Sequence, residues 1–280
     1  MTAFRRVLLV LMAVMTVSCG SPVEGPSLVV GASTDPANTL LANIYAAGLR
    51  YYGTAARVDA SADPLAGLDA GTVRLATGFT GELLQRFDPG SAARSARQVY
   101  RAMVGALPEG IAAGDYAPAA EDKPALAVTG ATAAAWDSRD LSALVRNCSR
   151  VSVGAPTGSS TPDTVGECTL GSAREFGTAA MLFDALRAGV ITAAWTTTAA
   201  TGVPDGVVIL VDRKPALIPA QNVVALYRRN ELDNIQLRAI NEIAGVLDTA
   251  SLVQMLAQVE QGVDARMVAE QWLTANPLGR

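Results

Sequence analysis

The sequence predicts an α/β protein of two lobes, each a mixed sheet flanked by helices. Three observations predict it. Short apolar runs of strand length alternate with stretches whose apolar residues recur at helical spacing. The chain also builds one set of such units, then a second, and then returns: the apolar run Val207–Val211 leads through Asp212–Pro215 into a last helical block. Finally, 280 residues, 50% of them hydrophobic, suffice for two cores. On this reading residues 28–122 and 215–280 form lobe 1 and residues 123–214 form lobe 2. Two crossing strands make a hinge, and a ligand is held in the cleft between the lobes.

Residues 1–18 read as a signal peptide. Arg5 and Arg6 supply a positive start, Val7–Val14 an apolar stretch, and Thr16-Val-Ser-Cys19 is similar to a bacterial lipobox. The expectation is a lipidated Cys19 followed by a tether over residues 19–27, which holds Pro22, Gly25 and Pro26. The alternative is an ordinary secretory signal cleaved near Cys19 without lipid.

Leu28–Gly31 is a strand, Ala32–Asn38 a loop and Thr39–Tyr52 a helix, with Asp35 as cap and Pro36 in the first turn. Arg57–Asp59 is a weak strand, Pro64–Ala70 a short helix or turn, and Val73–Ala76 a third strand. That strand ends in Thr77-Gly-Phe-Thr-Gly-Glu82, before a helix from Leu83. Glu82 then sits near a helix N-terminus, which favours a carboxylate. Ser91–Val104 is an amphipathic helix and Leu107–Lys123 a loop. Ala125–Thr129 carries the chain across as a strand. A helix over Leu141–Val145 is capped by Asp137 or Ser138. Val151–Gly154 is a strand, and Ala155–Gly171 is a loop of Gly, Ser, Thr and Pro.

Leu182, Phe183, Leu186 and Val190 fall at helical spacing, with Gly189 as the stop. Ile191–Ala194 fits a buried strand. Trp195 and Thr196-Thr197-Thr198 follow at its carboxyl end, where open α/β sheets hold ligands. Val207–Val211 is a strand, and the chain from Glu231 is helical, with Trp272 in the core.

Composition excludes several functions. The formal charge is −4, and no basic face for nucleic acid is evident. The chain has no His, so neither a Ser-His-Asp triad nor a His-ligated metal is available. No enzymatic activity, cofactor or metal is expected. No internal run is long enough to span a membrane. Apart from Cys19, the cysteines are Cys148 and Cys168, an even pair suited to an oxidising compartment. A disulfide between them closes a loop of about 20 residues and stabilises by roughly 3 kcal/mol. Two unpaired buried thiols are the alternative.

Several stretches resemble one family. Leu182-Phe-Asp-Ala-Leu-Arg-Ala-Gly-Val-Ile-Thr-Ala-Ala-Trp-Thr-Thr-Thr198 is similar to a segment of the substrate-binding lipoproteins of ABC importers for glycine betaine, carnitine and choline. The resemblance continues through Val207–Lys214 and Leu217–Arg228, and recurs at Leu28–Tyr52, at Val73–Phe87 and in Val263–Leu273. It implies a type II periplasmic-binding-protein fold. It also implies ligand contacts from Ser33, Thr34 and Asp35 in the first loop, from Phe79, Thr80 and Glu82, from Trp195, Thr196 and Thr197, and from Gln221 and Asn222.

The family holds a quaternary ammonium among aromatic faces. Here Phe79 stands for a Tyr, Gln221 for another Tyr and Pro124 for an aromatic. The family's carboxylate-binding Arg has no counterpart before Arg174. The site is thus more polar than the family pattern, and its hydroxyls and amides would suit a polyol-like, amino-acid-like or polyphenolic solute as well.

The function implied is that of an extracytoplasmic, lipid-anchored, monomeric receptor on the outer face of the cytoplasmic membrane. It would deliver a small solute to an ABC permease. The alternative is an envelope lipoprotein of the same fold that acts as a sensor or scaffold.

Overall fold

The computed structural model describes residues 27–61 and 63–279. The signal peptide, Cys19 and all but the last residue of the tether lie outside the described residues. The chain first forms β1 (Leu28–Ala32), α1 (Pro36–Tyr51), β2 (Ala56–Ala60), α2 (Pro64–Ala70), β3 (Leu75–Phe79), α3 (Thr80–Phe87), α4 (Ala96–Ala106) and β4 (Ile111–Ala113). It then crosses to β5 (Pro124–Thr129), α5 (Gly130–Ala135), α6 (Leu141–Arg146), β6 (Val153–Pro156), β7 (Thr164–Val165), β8 (Cys168–Thr169), β9 (Arg174–Phe176), α7 (Ala179–Arg187), β10 (Ala193–Thr197) and β11 (Val207–Ile209). It returns through β12 (Val223–Arg228) to α8 (Asn234–Val246), α9 (Thr249–Glu260) and α10 (Ala265–Ala275).

Two five-stranded mixed sheets result. The first has the order β2-β1-β3-β12-β4 and the second β11-β5-β10-β6-β9. The returning strand β12 lies antiparallel between β3 and β4, so the last part of the chain completes the sheet begun by the first. β5 lies antiparallel to both β10 and β11.

The first sheet is covered on one side by α1. Every residue of α1 from Leu40 to Leu49 is buried. A helix apolar all round must be covered all round, and α8, α9 and α10 supply the outer cover through Ile243, Leu252, Trp272 and Leu273. The other side of the sheet packs α2, α3 and α4 through Leu68, Leu83, Leu84 and Met103. Each such buried Leu, Ile or Phe contributes about 1.5–3 kcal/mol.

Helix starts follow the predicted chemistry. Asp35 accepts from the Asn38 N–H at 2.8 Å, and Asp63 caps α2 through the Leu65 and Ala66 N–H groups. Gly189 ends the α7 turn with φ +72°, a conformation only Gly adopts without steric cost. Cys148 and Cys168 are bonded, with Cα atoms 5.6 Å apart, which ties the chain after α6 to β8.

The structure corrects several boundaries. β3 runs to Phe79 and α3 starts at Thr80, because the whole strand through Phe79 pairs with β12. β10 begins at Ala193 and continues through Trp195 to Thr197, because Ala125, Leu126 and Pro124 of β5 pair with it over that length. The stretch expected as a loop before Lys123 contains β4, which pairs with β12. The predicted helix at Ser91–Val104 starts at Ala96, where Ser95 and Gln98 close a capping box. The cap of α6 is Asp140; Asp137 takes a positive φ of 48°, and Ser138 instead receives the Asp140 N–H. The C-terminal block is three helices, each capped by an Asp: Asp233, Asp248 and Asp264.

Candidate functional site

The site is built at the carboxyl ends of β1 and β3. Parallel strands in an α/β sheet leave a crevice there, bounded by the loops that lead into the next helices. A cavity of about 440 Å³ occupies this position, and Ser33, Asn38, Thr77, Phe79, Glu82 and Arg86 are among its lining residues. Three predicted residues, Ser33, Phe79 and Glu82, are therefore brought together. Phe79 lines the cavity yet also belongs to the first lobe's core.

Three helices begin around this cavity, and each N-terminus carries its own acid. Asp35 caps α1, Asp63 caps α2, and Glu82 lies in the first turn of α3. The positive ends of these helices are thus already met by protein carboxylates. Asp63 is further paired with Arg86 at 2.8 Å, so that guanidinium is engaged.

The electrostatics of the remaining acids is one-sided. Burial raises Glu82 above its ordinary value of 4.5, and the charges of Asp35 and Asp122 raise it further. Burial also raises Asp122 above 3.8. Hydrogen bonds from Thr197 and the Ala199 N–H oppose that rise, while the Asp35 charge adds to it. Burial pushes Asp35 up as well, but hydrogen bonds from the Asn38 N–H, the Ser33 hydroxyl and the Asn38 side chain outweigh it, and Asp35 lies below 3.8. Asp35 and Asp122 both act on Glu82, and Asp35 acts on Asp122, so the three lie in one region.

Asp122 connects this region to the second lobe. Its N–H donates to the Gln221 carbonyl at 3.0 Å, pairing the two crossing segments, and its Oδ1 accepts the Ala199 N–H, just past β10, at 3.3 Å. Thr196 lies on the opposite face of β10 from Trp195 and Thr197 and is half-buried. Thr34 is exposed in the loop before α1.

Other predicted contacts have internal duties. The Thr80 hydroxyl receives the Asn222 N–H at 3.1 Å and donates to the Ala220 carbonyl, while Asn222 Nδ2 donates to the Ala117 carbonyl at 3.0 Å. Both side chains are buried and fasten the returning segment to the start of α3. Gln221 Oε1 accepts the Glu82 N–H at 2.9 Å, supplying the cap that α3 otherwise lacks. Gly81 permits this approach, since a Cβ there would stand 2.6 Å from the Ala220 carbonyl.

Trp195 does not face the cavity. It is 2% exposed and packs among Leu126, Leu141, Leu144, Val153 and Leu210 in the second lobe's core. Strand alternation explains this: extending β10 three residues beyond the expected end turns Trp195 from a strand-end residue into an interior one.

Sequence reading missed Asn38, Thr77 and Asp122. Asn38 is the N3 residue after an Asp cap, and Thr77 is a polar residue within an apolar strand; both are local signals of special placement. Asp122 carried no signal beyond its place in the acidic run Glu121-Asp122 before the crossing strand.

Among the described residues no helix is long and apolar enough to cross a membrane, and no group of three potential ligands could hold a metal ion. The family model for the substrate-binding domain of the ABC-type glycine betaine transport system matches residues 26–275. Among solved structures, apo YehZ from Escherichia coli superposes with a TM-score of 0.71 at 19% identity, covering 90% of this chain and 99% of that one. A glycine betaine/carnitine/choline ABC transporter protein gives 0.73 at 14% identity, covering 89% and 98%. A choline-binding protein of an ABC transporter, in complex with choline, gives 0.55 at 14% identity, covering 90% and 89%. These likenesses establish the type II two-lobe fold. No curated protein sequence matches the chain.

Proposed function

The chain belongs to the family of substrate-binding domains of ABC-type glycine betaine transport systems, and from that premise we propose that it is a lipid-anchored, extracytoplasmic receptor. It captures a small osmoprotectant-like solute between its lobes and hands it to a membrane permease. Cys19 carries the anchor. Lobe 1 comprises residues 28–122 and 215–280, and lobe 2 residues 123–214. Ser33, Thr34, Asp35, Phe79, Glu82, Thr196 and Thr197 are the proposed ligand-facing groups. Thr80, Gln221 and Asn222 hold the wall on which those groups stand.

The observation that carries this reading is that Glu82 of the first lobe lies within reach of the charges of Asp35 and Asp122, and that Asp122, in the crossing segment, accepts the Ala199 N–H just past β10 at 3.3 Å. Charge placed on both sides of a hinge gives a ligand differential affinity for the closed form. A positively charged solute at Glu82 offsets the like charges that Asp35 and Asp122 direct at it.

The test is a thermal-unfolding screen of the purified full-length chain against glycine betaine, choline, carnitine, polyols and amino acids. A ligand at 100 times its dissociation constant stabilises by about 2.7 kcal/mol. A shift with a cationic or zwitterionic member supports the receptor. A flat response to every class, with cooperative unfolding, removes it.

A further inference from the structure

Around the 440 Å³ cavity, two buried oxygens face one problem: they are acceptors with nothing to accept. The Asn38 side chain donates through Nδ2 to Asp35 Oδ2 at 2.8 Å. Since a carboxylate takes only donors, this bond fixes which end of the amide is nitrogen. Asn38 Oδ1 is therefore an acceptor; it is buried and has no partner. Thr77 is 94% buried, being 6% exposed, and its Oγ1 also has no partner. Thr77 is not an isolated core defect, because it lines the cavity together with Asn38 and Glu82. Glu82, exposed to solvent, lines the same cavity and makes no ion pair among the described residues, so its charge is free to meet a cation. Unsatisfied buried acceptors are costly, each by the desolvation of the group.

A quaternary ammonium cannot relieve this. It carries charge but no N–H, so it would neutralise Glu82 and leave Asn38 Oδ1 bare. A ligand carboxylate is worse, because the N-termini of α1, α2 and α3 are occupied by Asp35, Asp63 and Glu82, and the neighbouring guanidinium, Arg86, is already paired with Asp63. The group that fits is one with positive charge and several N–H donors.

We infer that the subsite formed by Asn38, Thr77 and Glu82 takes a primary or secondary ammonium, so that the solute is an N–H-bearing cation and not a fully methylated one. The ammonium donates to Glu82, Asn38 Oδ1 and Thr77 Oγ1, three acceptors for the three N–H bonds of a primary amine. This rests on the solute-receptor reading above and specifies the chemistry of its ligand.

The test is isothermal titration of the full-length chain with ethanolamine, its N-methyl and N,N-dimethyl derivatives, and choline. These four share one skeleton and differ in the number of N–H bonds. The expected result is an affinity that falls with each methyl, with ethanolamine about tenfold or more tighter than choline, since a hydrogen bond to a charged group is worth about that factor. In Thr77→Val, which removes the hydroxyl at nearly constant volume, the ethanolamine preference shrinks while choline is unaffected. Should Thr77→Val fold poorly, the series on the native chain decides alone. Affinity that rises with methylation overturns the inference and leaves the receptor standing. The same holds if glycine betaine binds and none of the four does. Silence from all five overturns the inference, and the receptor reading falls with it only if the wider screen of carnitine, polyols and amino acids is flat as well.

Discussion

Lys123 Nζ lies 3.2 Å from Asp212 Oδ2, and both side chains are almost fully buried, at 9% and 4% exposure. The pair joins the two crossings. Lys123 precedes β5, where the chain first leaves the first sheet, and Asp212 follows β11, where it starts back. Asp212 also accepts the N–H groups of Leu217 and Ile218 at 2.9 and 3.0 Å, so one carboxylate organises the whole return turn. A second tie runs beside it, where Thr198 and Lys123 exchange hydrogen bonds at 2.9 Å. The crossing is thus a polar knot between two apolar cores.

Breaking this pair on one side leaves a buried charge. Asp212→Ala should destabilise the protein by about 3–5 kcal/mol, and the double variant Lys123→Met, Asp212→Ala by distinctly less, because no lone ammonium remains. Chemical denaturation of the three variants measures it. Equal losses in the single and double variants would show that the two charges are not coupled.

Trp195 serves the second core. Trp195→Ala should cost about 3–5 kcal/mol of stability through the cavity it leaves. The affinity of the folded fraction for solute should be unchanged. Titration well below the melting point separates the two effects, and a weakened affinity there would return Trp195 to the ligand wall.

Gly81→Ala tests the contact between α3 and the returning segment. Its Cβ would meet the Ala220 carbonyl at 2.6 Å and the Gln221 side chain at 2.8 Å. The backbone must move, at about 1–3 kcal/mol, and the Gln221 cap on Glu82 is lost with it. Amide exchange at Glu82 reports the loss; an unchanged rate would mean that the segment has room to spare.

The pH dependence has opposite signs for binding and for stability. Glu82 and Asp122 are raised in the folded protein, so the fold holds their protons more tightly than the unfolded chain does. Their contribution to stability is therefore greatest at low pH. It is lost as pH rises from their ordinary values of 4.5 and 3.8 through the raised folded values. A cation needs the ionised forms, so affinity should rise over that same window and fall on acidification. Glu82→Gln should stabilise the empty protein at pH 7, flatten the affinity profile, and weaken a cationic solute about tenfold. Melting and titration of wild type and variant between pH 4 and 7 check both signs.

Removing the disulfide should be felt in stability alone. Replacing Cys148 and Cys168 by Ser opens a loop with a sequence separation of 20, which costs about 3 kcal/mol in the chain-entropy model. The loop β7–β8 packs on the second core through Val165 and Leu170, and none of its residues lines the 440 Å³ cavity. A changed solute affinity in the double variant would show that this loop reaches the site.

Much of this protein is legible in its sequence, because local chemistry and periodicity are written residue by residue. Asp35 before Pro36 fixes the start of α1, Gly189 the end of α7, and the even cysteine pair the covalent link. The alternation of strands and helices, with a return near Asp212, determines the two-lobe class. What the sequence cannot carry is partnership across distance. Whether β10 stops at Ala194 or runs through Trp195 to Thr197 depends on the length of β5 beside it, and that extension decides whether an indole faces ligand or core. Whether Thr80 and Asn222 touch solute or each other depends on a strand that arrives 140 residues later. The gathering of Asp35, Glu82 and Asp122, and the two bare oxygens of Asn38 and Thr77, exist only once the sheets have formed. Capping and turn chemistry are satisfied within a few residues and so can be read along the chain. Burial, hydrogen-bond satisfaction and mutual charge are sums over neighbours in space, and only the tertiary structure supplies those neighbours.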